Sequence, residues 1–314
     1  MLKSKRLIIL ISILCFVAID TGAFFVIRHY LNNKITYTVN DTLPDGQGAE
    51  ATVILLGGQS NASGCSLDEY LQKNVSAEKY KEYKNGYDNV YINYLSGAKM
   101  SNEFVKCATL QGELEGSFGP ELGLAEMLSQ AHPDKKFFII KCAWGGTNLF
   151  EQWLSPSSDG KTGELYKHFV AFVNASLKYL ISKNYDVSIE GMCWMQGESD
   201  SFSTDASENY GVHLNNLITD IRKEFSRYSS EDGIAFVDAY IAANPIFWVY
   251  YEGVNRGKQE VAKLSPLNVV IDTISENLTT DKEPLPTPDI PHYDSLSQIK
   301  LGHLFASALL EFID

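Results

Sequence analysis

The stretch VILLGGQSNASG, residues 53–64, drives an apolar series of β-formers straight into two glycines followed by Gln, Ser and Asn. A short apolar run bounded by turn residues reads as a strand buried on both faces. Gly-Gly at its end permits a turn that residues with a Cβ resist. In open parallel sheets the turn beyond a strand's carboxyl end faces the ligand crevice. Ser60 sits on that turn and is a candidate nucleophile, although a turn of this composition is by itself only a turn.

Working outward, similar β-rich runs occur at 90–94, 137–142, 189–195, 234–240 and 268–273. Between and after them lie helical patterns at 120–131, 164–182, 206–228, 258–264 and 295–313. Strands alternating with helices predict an α/β fold whose central parallel sheet is covered on both faces. The chain of 314 residues suits one large domain, 51–314, better than two small ones. Residues 32–50 are polar, with Pro44, Gly46 and Gly48, and read as a linker. At 1–31, Lys3, Lys5 and Arg6 precede an apolar run over 7–27, which reads as a membrane anchor or, alternatively, a cleaved signal. Either form places the domain outside the cytoplasm, and the anchor is the preferred reading because apolar character resumes at 24–27.

A net charge of −13 argues against nucleic acid, which needs a basic stripe to neutralise phosphates. Five cysteines show no Cys-x-x-Cys pair and no Cys/His cluster at zinc spacing, so no metal site is indicated. Cys15 falls in the apolar segment, and Cys142 and Cys193 lie in strand patterns. That leaves Cys65 and Cys107, which an oxidising compartment would allow to pair, a bridge the sequence does not establish. The Asn-x-Ser sequon at Asn61 lies beside Ser60, where a glycan would block a site, and reads as accidental.

The loops that follow the strands gather polar residues at one edge. The first carries Ser60; the third, AWGGTN, carries Gly145, Gly146 and Asn148; the fourth, QGESD, carries Gln196, Glu198 and Asp200. PDIPHYD, before the last helix, carries Asp289 and His292. Together these can perform acyl transfer. A serine needs a base, and His292 is the histidine placed in a strand-end loop. The imidazole needs an acid to fix its tautomer, and Asp289 stands three residues earlier, with Glu198 as the alternative acid or a supporting group. The backbone N–H groups of Ser60 and Gly146 and the amide of Gln196 are of the kind that stabilises an oxyanion. Gln59, Asn61 and Asn148 fall on the substrate side. Each has an ordinary reading as well: Asp289-x-x-His292 as a capping segment, Glu198 and Asp200 as an acidic first turn, Asn148 as a cap. The remaining histidines at 29, 132, 168, 213 and 303 read as structural or surface groups.

The set resembles the SGNH-hydrolase superfamily, and within it the sialate O-acetylesterase-like and carbohydrate esterase family 6 group. GGQSN resembles that group's first block, GPELGLAEML at 119–128 and CAWGGTNL at 142–149 the next two, WMQGESD at 194–200 the fourth, and DIPHYDSLSQIKLG at 289–302 the last. The resemblance implies a three-layer flavodoxin-like fold, hydrolysis of O-acetyl esters on carbohydrate, Ser60 as nucleophile, Gly146 as oxyanion glycine and no cofactor. The wider superfamily has Asn where Gln196 stands. Two other outcomes for the same residues are an acetyltransferase that passes the acyl group to a sugar hydroxyl and a carbohydrate-binding homologue without catalysis. The aromatics at 247–251 offer a platform for a pyranose ring or a cover for the core.

Overall fold

Burial accounts for the apolar runs. The computed structural model describes residues 35–284, 289 and 291–313, and those from Thr36 onward form one compact unit. Strand β1, Glu50–Gly58, is buried from Ala51 to its end, and β3, Phe137–Ala143, is buried throughout. Neither has a solvent face to carry polar residues, so neither alternates. With β2 (Val90–Ser96), β4 (Asp186–Met195), β5 (Ala235–Ala239) and β6 (Asn268–Ile271) they form a sheet of order 6-5-4-1-3-2 in which every pairing is parallel. Two short antiparallel strands, Lys99–Met100 and Val105–Lys106, pair with β2 at its edge.

The helices are α1 (Ser60–Ser63), α2 (Asp68–Asn74), α3 (Ala77–Asn85), α4 (Glu121–Ala131), α5 (Glu164–Ser182), α6 (Thr204–Glu224), α7 (Tyr251–Ala262) and α8 (Ser295–Leu309). Leu71, Tyr83, Phe118, Leu122 and Ile299 join α2, α3, α4 and α8 in one buried cluster. Helix α5 packs along β1, β3 and β4, and α6 lies against α7. The α/β class and the central parallel sheet are as the sequence implies. Helices α2 and α3 escape the pattern because each is short and mostly exposed. Helix α7 starts seven residues before the expected position, since Gly253 and Gly257 interrupt its apolar periodicity.

One expectation is corrected. The segment read as a linker packs on the domain from residue 37 onward: the Tyr179 hydroxyl accepts from the N–H groups of Thr42 and Leu43, and Gly46 N–H and Gly48 N–H bond the carbonyls of Lys183 and Asn184. Leu43 is buried there. Cys65 and Cys107 are unbridged, each a buried free thiol, as are Cys142 and Cys193. The anchor or signal at 7–27, with Cys15 and His29, lies outside the described residues. Among the described residues no helix is long and apolar enough to cross a membrane.

One charge lies inside the sheet. Lys141 of β3 places its Nζ 2.8 Å from Glu121 Oε2, both side chains wholly buried, and donates also to the Gln111 carbonyl at 3.2 Å. Glu121 in turn accepts from Gly119 N–H at 2.9 Å, which fixes the start of α4. Removing one member of such a pair strands the other without a counter-charge. Lys141→Met should therefore cost about 3–5 kcal/mol in urea unfolding, and Lys141→Met with Glu121→Gln should regain part of it.

Candidate active site

Gly58 ends β1 at φ +136°, and a Cβ there would lie 2.0 Å from the Met195 carbonyl oxygen. Only glycine lets the chain pass β4 this closely. The crossing is held on both sides, by Gln59 N–H to Met195 O at 2.9 Å and Trp144 N–H to Gly58 O at 3.0 Å. The turn carrying Ser60 is thus tied to the ends of β3 and β4, the strands that flank β1.

Asn61 connects this turn to the last loop. Its Oδ1 accepts from Tyr293 N–H at 3.0 Å, and its Nδ2 donates to the Pro291 carbonyl at 3.2 Å and to Glu198 Oε1 at 2.7 Å. It grips the residues on either side of His292 while standing next to Ser60 in the chain. Gln298 Nε2 donates to Asn61 O at 2.7 Å, and Ser66 Oγ donates to Tyr293 O at 2.6 Å. His292 Nδ1 meets Asp289 Oδ2 at 2.8 Å, so the carboxylate accepts the Nδ1 proton and Nε2 is left for a proton from elsewhere. Burial opposes a charged imidazole, but Cys65 and Asp289 beside it raise His292 well above the ordinary histidine value. Burial likewise raises the Cys65 thiol.

Gly146 takes φ +68° in the loop after β3. Among the described residues, the N–H groups of Gly146 and Ser60 have no hydrogen-bond acceptor. Ser60 is 6% exposed. The structure therefore brings Ser60, Gly146, Asp289 and His292 to one edge, with two backbone donors open.

Gln196 is not presented there, contrary to the expectation of an oxyanion donor. It is fully buried, and its Nε2 lies 2.6 Å from Asp200 Oδ2, 2.9 Å from Thr147 O and 3.2 Å from Gln59 Oε1. Its two protons are used inside the protein, and Tyr210 donates to its Oε1 at 2.9 Å. Gln59 and Asn61 are also not on a substrate side. Both are buried, and Gln59 Oε1 further accepts from Gly197 and Ser199 N–H. Asn148 is partly exposed; its Oδ1 caps the next turn by accepting from Glu151 and Gln152 N–H.

Glu198 is buried against Asn61, and burial raises its carboxyl above the usual range. Among the described residues its Oε2 has no hydrogen-bond partner. Asp200 accepts from Leu149 and Phe150 N–H as well as Gln196, and burial nonetheless pushes it up to about 6. Three participants were not singled out in the sequence as site residues: Cys65, Gln298, which lies inside the last block, and Glu113, whose Oε2 accepts from Ser63 Oγ at 2.5 Å and Gly145 N–H at 2.9 Å. For Gln298 the available signal is a polar residue on the buried face of an otherwise apolar helix. His168, His213 and His303 bond Tyr37, Ser158 and Glu126 away from these loops.

A family model described as carbohydrate esterase, sialic acid-specific acetylesterase matches residues 50–311. The probable 9-O-acetyl-N-acetylneuraminic acid deacetylase of Escherichia coli (strain K12) is 27% identical over 128 residues, which cover 37% of this chain and 38% of that protein. Among solved structures, a protein from Arabidopsis thaliana has a TM-score of 0.59 at 20% identity, covering 86% of this chain and 99% of that one. NanS has a TM-score of 0.59 at 17% identity, covering 86% and 98%. At these identities the structural likeness concerns the fold.

The Asp289 pairing makes a direct expectation for titration. A carboxylate that favours the imidazolium raises the histidine, so its loss lowers it. In an NMR titration Asp289→Asn should move the His292 midpoint to lower pH, and Glu198→Gln should move it less. A larger shift from Glu198→Gln would make Glu198 the dominant partner.

Proposed function

Because the chain belongs to the carbohydrate esterase family of sialic acid-specific acetylesterases, we propose that it hydrolyses O-acetyl esters of carbohydrate with Ser60 as nucleophile. One observation carries the assignment of residues: Asn61 fixes the His292 loop against the turn that bears Ser60.

Ser60 Oγ attacks the acetyl carbonyl while His292 Nε2 takes its proton, and Asp289 stabilises the imidazolium through Nδ1–H. The carbonyl oxygen becomes an oxyanion and accepts from the N–H groups of Ser60 and Gly146, which need no reorganisation because the chain has already set them. The sugar oxygen leaves with the proton held by His292, and Ser60 keeps the acetyl group. Water then attacks that ester, giving its proton to His292 and releasing acetate and free Ser60. Gln196 acts from behind, holding the loop after β4 to Gln59 and Asp200, and Glu198 holds Asn61. No step calls for a metal or cofactor. On this reading the catalytic domain is the compact unit that begins at Thr36, and the basic flank and apolar run of the first residues carry it outside the cytoplasm.

Ser60→Ala should lower turnover of an aryl acetate by about a millionfold, and rapid-quench mass spectrometry of the unaltered protein should find one acetyl group on the peptide containing Ser60. Near-unaltered turnover by Ser60→Ala would sink the mechanism. Gln196→Ala should destabilise the protein as well as slow it, whereas a simple oxyanion donor would slow it without loss of stability.

A further inference from the structure

An oxyanion donor carried by a glycine needs its direction fixed from outside. Gly145 and Gly146 follow one another in the loop after β3, and two residues without a Cβ leave the chain between them free to turn. A donor that stabilises an oxyanion works because it is aimed before the charge develops. Trp144 O and Gly145 N–H are opposite ends of one peptide plane, and both ends are held: Thr147 Oγ1 donates to Trp144 O at 2.7 Å, and Gly145 N–H donates to Glu113 Oε2 at 2.9 Å. The N–H of Gly146 belongs to the next plane, so Glu113 restrains it from one residue away.

The same carboxylate oxygen reaches the turn that bears Ser60. Ser63 Oγ donates to Glu113 Oε2 at 2.5 Å, and Glu113 N–H donates to Gly64 O at 2.8 Å. Ser63 is itself one of the residues that aim Ser60 N–H. The N–H groups of Ala62 and Ser63 each donate to Gln59 O at 2.8 Å, and Ser60 N–H is the opposite end of that peptide plane. One oxygen therefore bonds both the turn and the loop that carry the two open donors. Glycine makes room for the carboxylate on either side: a Cβ on Gly145 would stand 2.9 Å from Oε2, and one on Gly97, at φ +58°, would stand 2.5 Å from Oε1. Glu113 comes from the connection between β2 and β3, yet its bonds tie the end of β1 to the end of β3.

We infer that Glu113 is a positioning residue for the reaction, whose carboxylate sets the N–H of Gly146 against the N–H of Ser60. The inference rests on the acetylesterase reading above. Glu113→Ala releases both partners and should lower kcat on an aryl acetate by roughly ten- to a hundredfold, as a displacement of about 1 Å in the reacting geometry does, with KM changed by no more than about twofold. Glu113→Gln keeps an acceptor oxygen and should recover about half of that loss or more on a logarithmic scale, because neutral bonds keep about half the strength of charge-assisted ones. Ser63→Ala should cost less than Glu113→Ala and add little to it, since both remove one shared bond. A boronic acid, which binds a nucleophilic serine as a tetrahedral anion, should bind Glu113→Ala more weakly by about the factor that kcat falls. A residue that served stability alone would leave that affinity unchanged in the folded protein. Unchanged boronic acid affinity therefore overturns the inference, as does a rise in KM in place of a fall in kcat, or a loss in Glu113→Gln as large as in Glu113→Ala. If Glu113→Ala does not fold, Glu113→Asp, one methylene too short to reach both donors, takes its place in every comparison. Unaltered turnover in Glu113→Ala beside an inactive Ser60→Ala sinks this inference alone. If the intact protein releases no acetate, the acetylesterase reading fails instead, and boronic acid affinity judges Glu113: weaker binding by the variant supports its role, equal binding refutes it.

Discussion

The side chain of Asn61 makes three buried hydrogen bonds, to Tyr293 N–H, Pro291 O and Glu198 Oε1, across sequence separations of more than two hundred residues in two of them. The last loop has no ladder of its own to place it, since it follows β6 through a Pro-rich segment and leads into α8. Its position relative to β1 is set by this amide, by Gln298 on the Asn61 carbonyl and by Ser66 on the Tyr293 carbonyl. Each group left unpaired by a lost bond in such a buried network costs about 1–3 kcal/mol. The loop consequently has one well-determined seat, and the distance from Ser60 to His292 is inherited from it.

A second layer of fixed polar groups stands behind the first. Gln59, Gln196, Asp200 and Tyr210 are mutually bonded and buried, and they join the loops after β1, β3 and β4. Lys258 bonds Asp238 at 2.7 Å, and its charge also bears on Glu198 and Asp200. Burial pushes Asp238 up to about 6, as it does Asp200. The donors around both carboxyls pull them back down and offset only part of the effect of burial. The arrangement exchanges stability for rigidity, and it does so directly beneath the open N–H groups of Ser60 and Gly146, where a small displacement would misplace an oxyanion.

Strands were legible because burial on both faces leaves apolar runs bounded by turns, and all six main strands lie where these runs do. The order 2-3-1-4-5-6 was not legible, because pairing is decided by helix packing and by long-range contacts such as Lys141 with Glu121, and a lysine inside an apolar run carries no mark of its partner. The site edge was legible as a set of loops. The linker was misread because residues 36–49 are polar in side chain yet bond the domain through their backbone N–H groups, a contact that composition does not record. The state of Cys65 and Cys107, which the sequence leaves open, is decided by the same kind of unrecorded contact: both thiols are buried, but Cys65 lies by His292 and Cys107 donates to Glu121 O at 3.4 Å.

The misplacement of Gln59, Asn61 and Gln196 on the substrate side has a more general cause. A polar residue in a strand-end loop is drawn there by either of two demands: contact with a ligand, or satisfaction of backbone groups that the sheet ladder no longer pairs. Loops that converge on one edge bring several strand ends together, so the second demand is greatest where the first is expected. Long amides meet it best, because one side chain offers donors and an acceptor at once. What distinguishes the two classes here is what their polar groups bond: Gln59, Asn61 and Gln196 are buried with their amides spent on the protein, while Gly146, Asp289 and His292 keep contact with solvent and the N–H of Ser60, itself buried, is left open. The reacting groups are thus a thin outer layer, and most of the polar residues that mark the site in the sequence serve to hold that layer still.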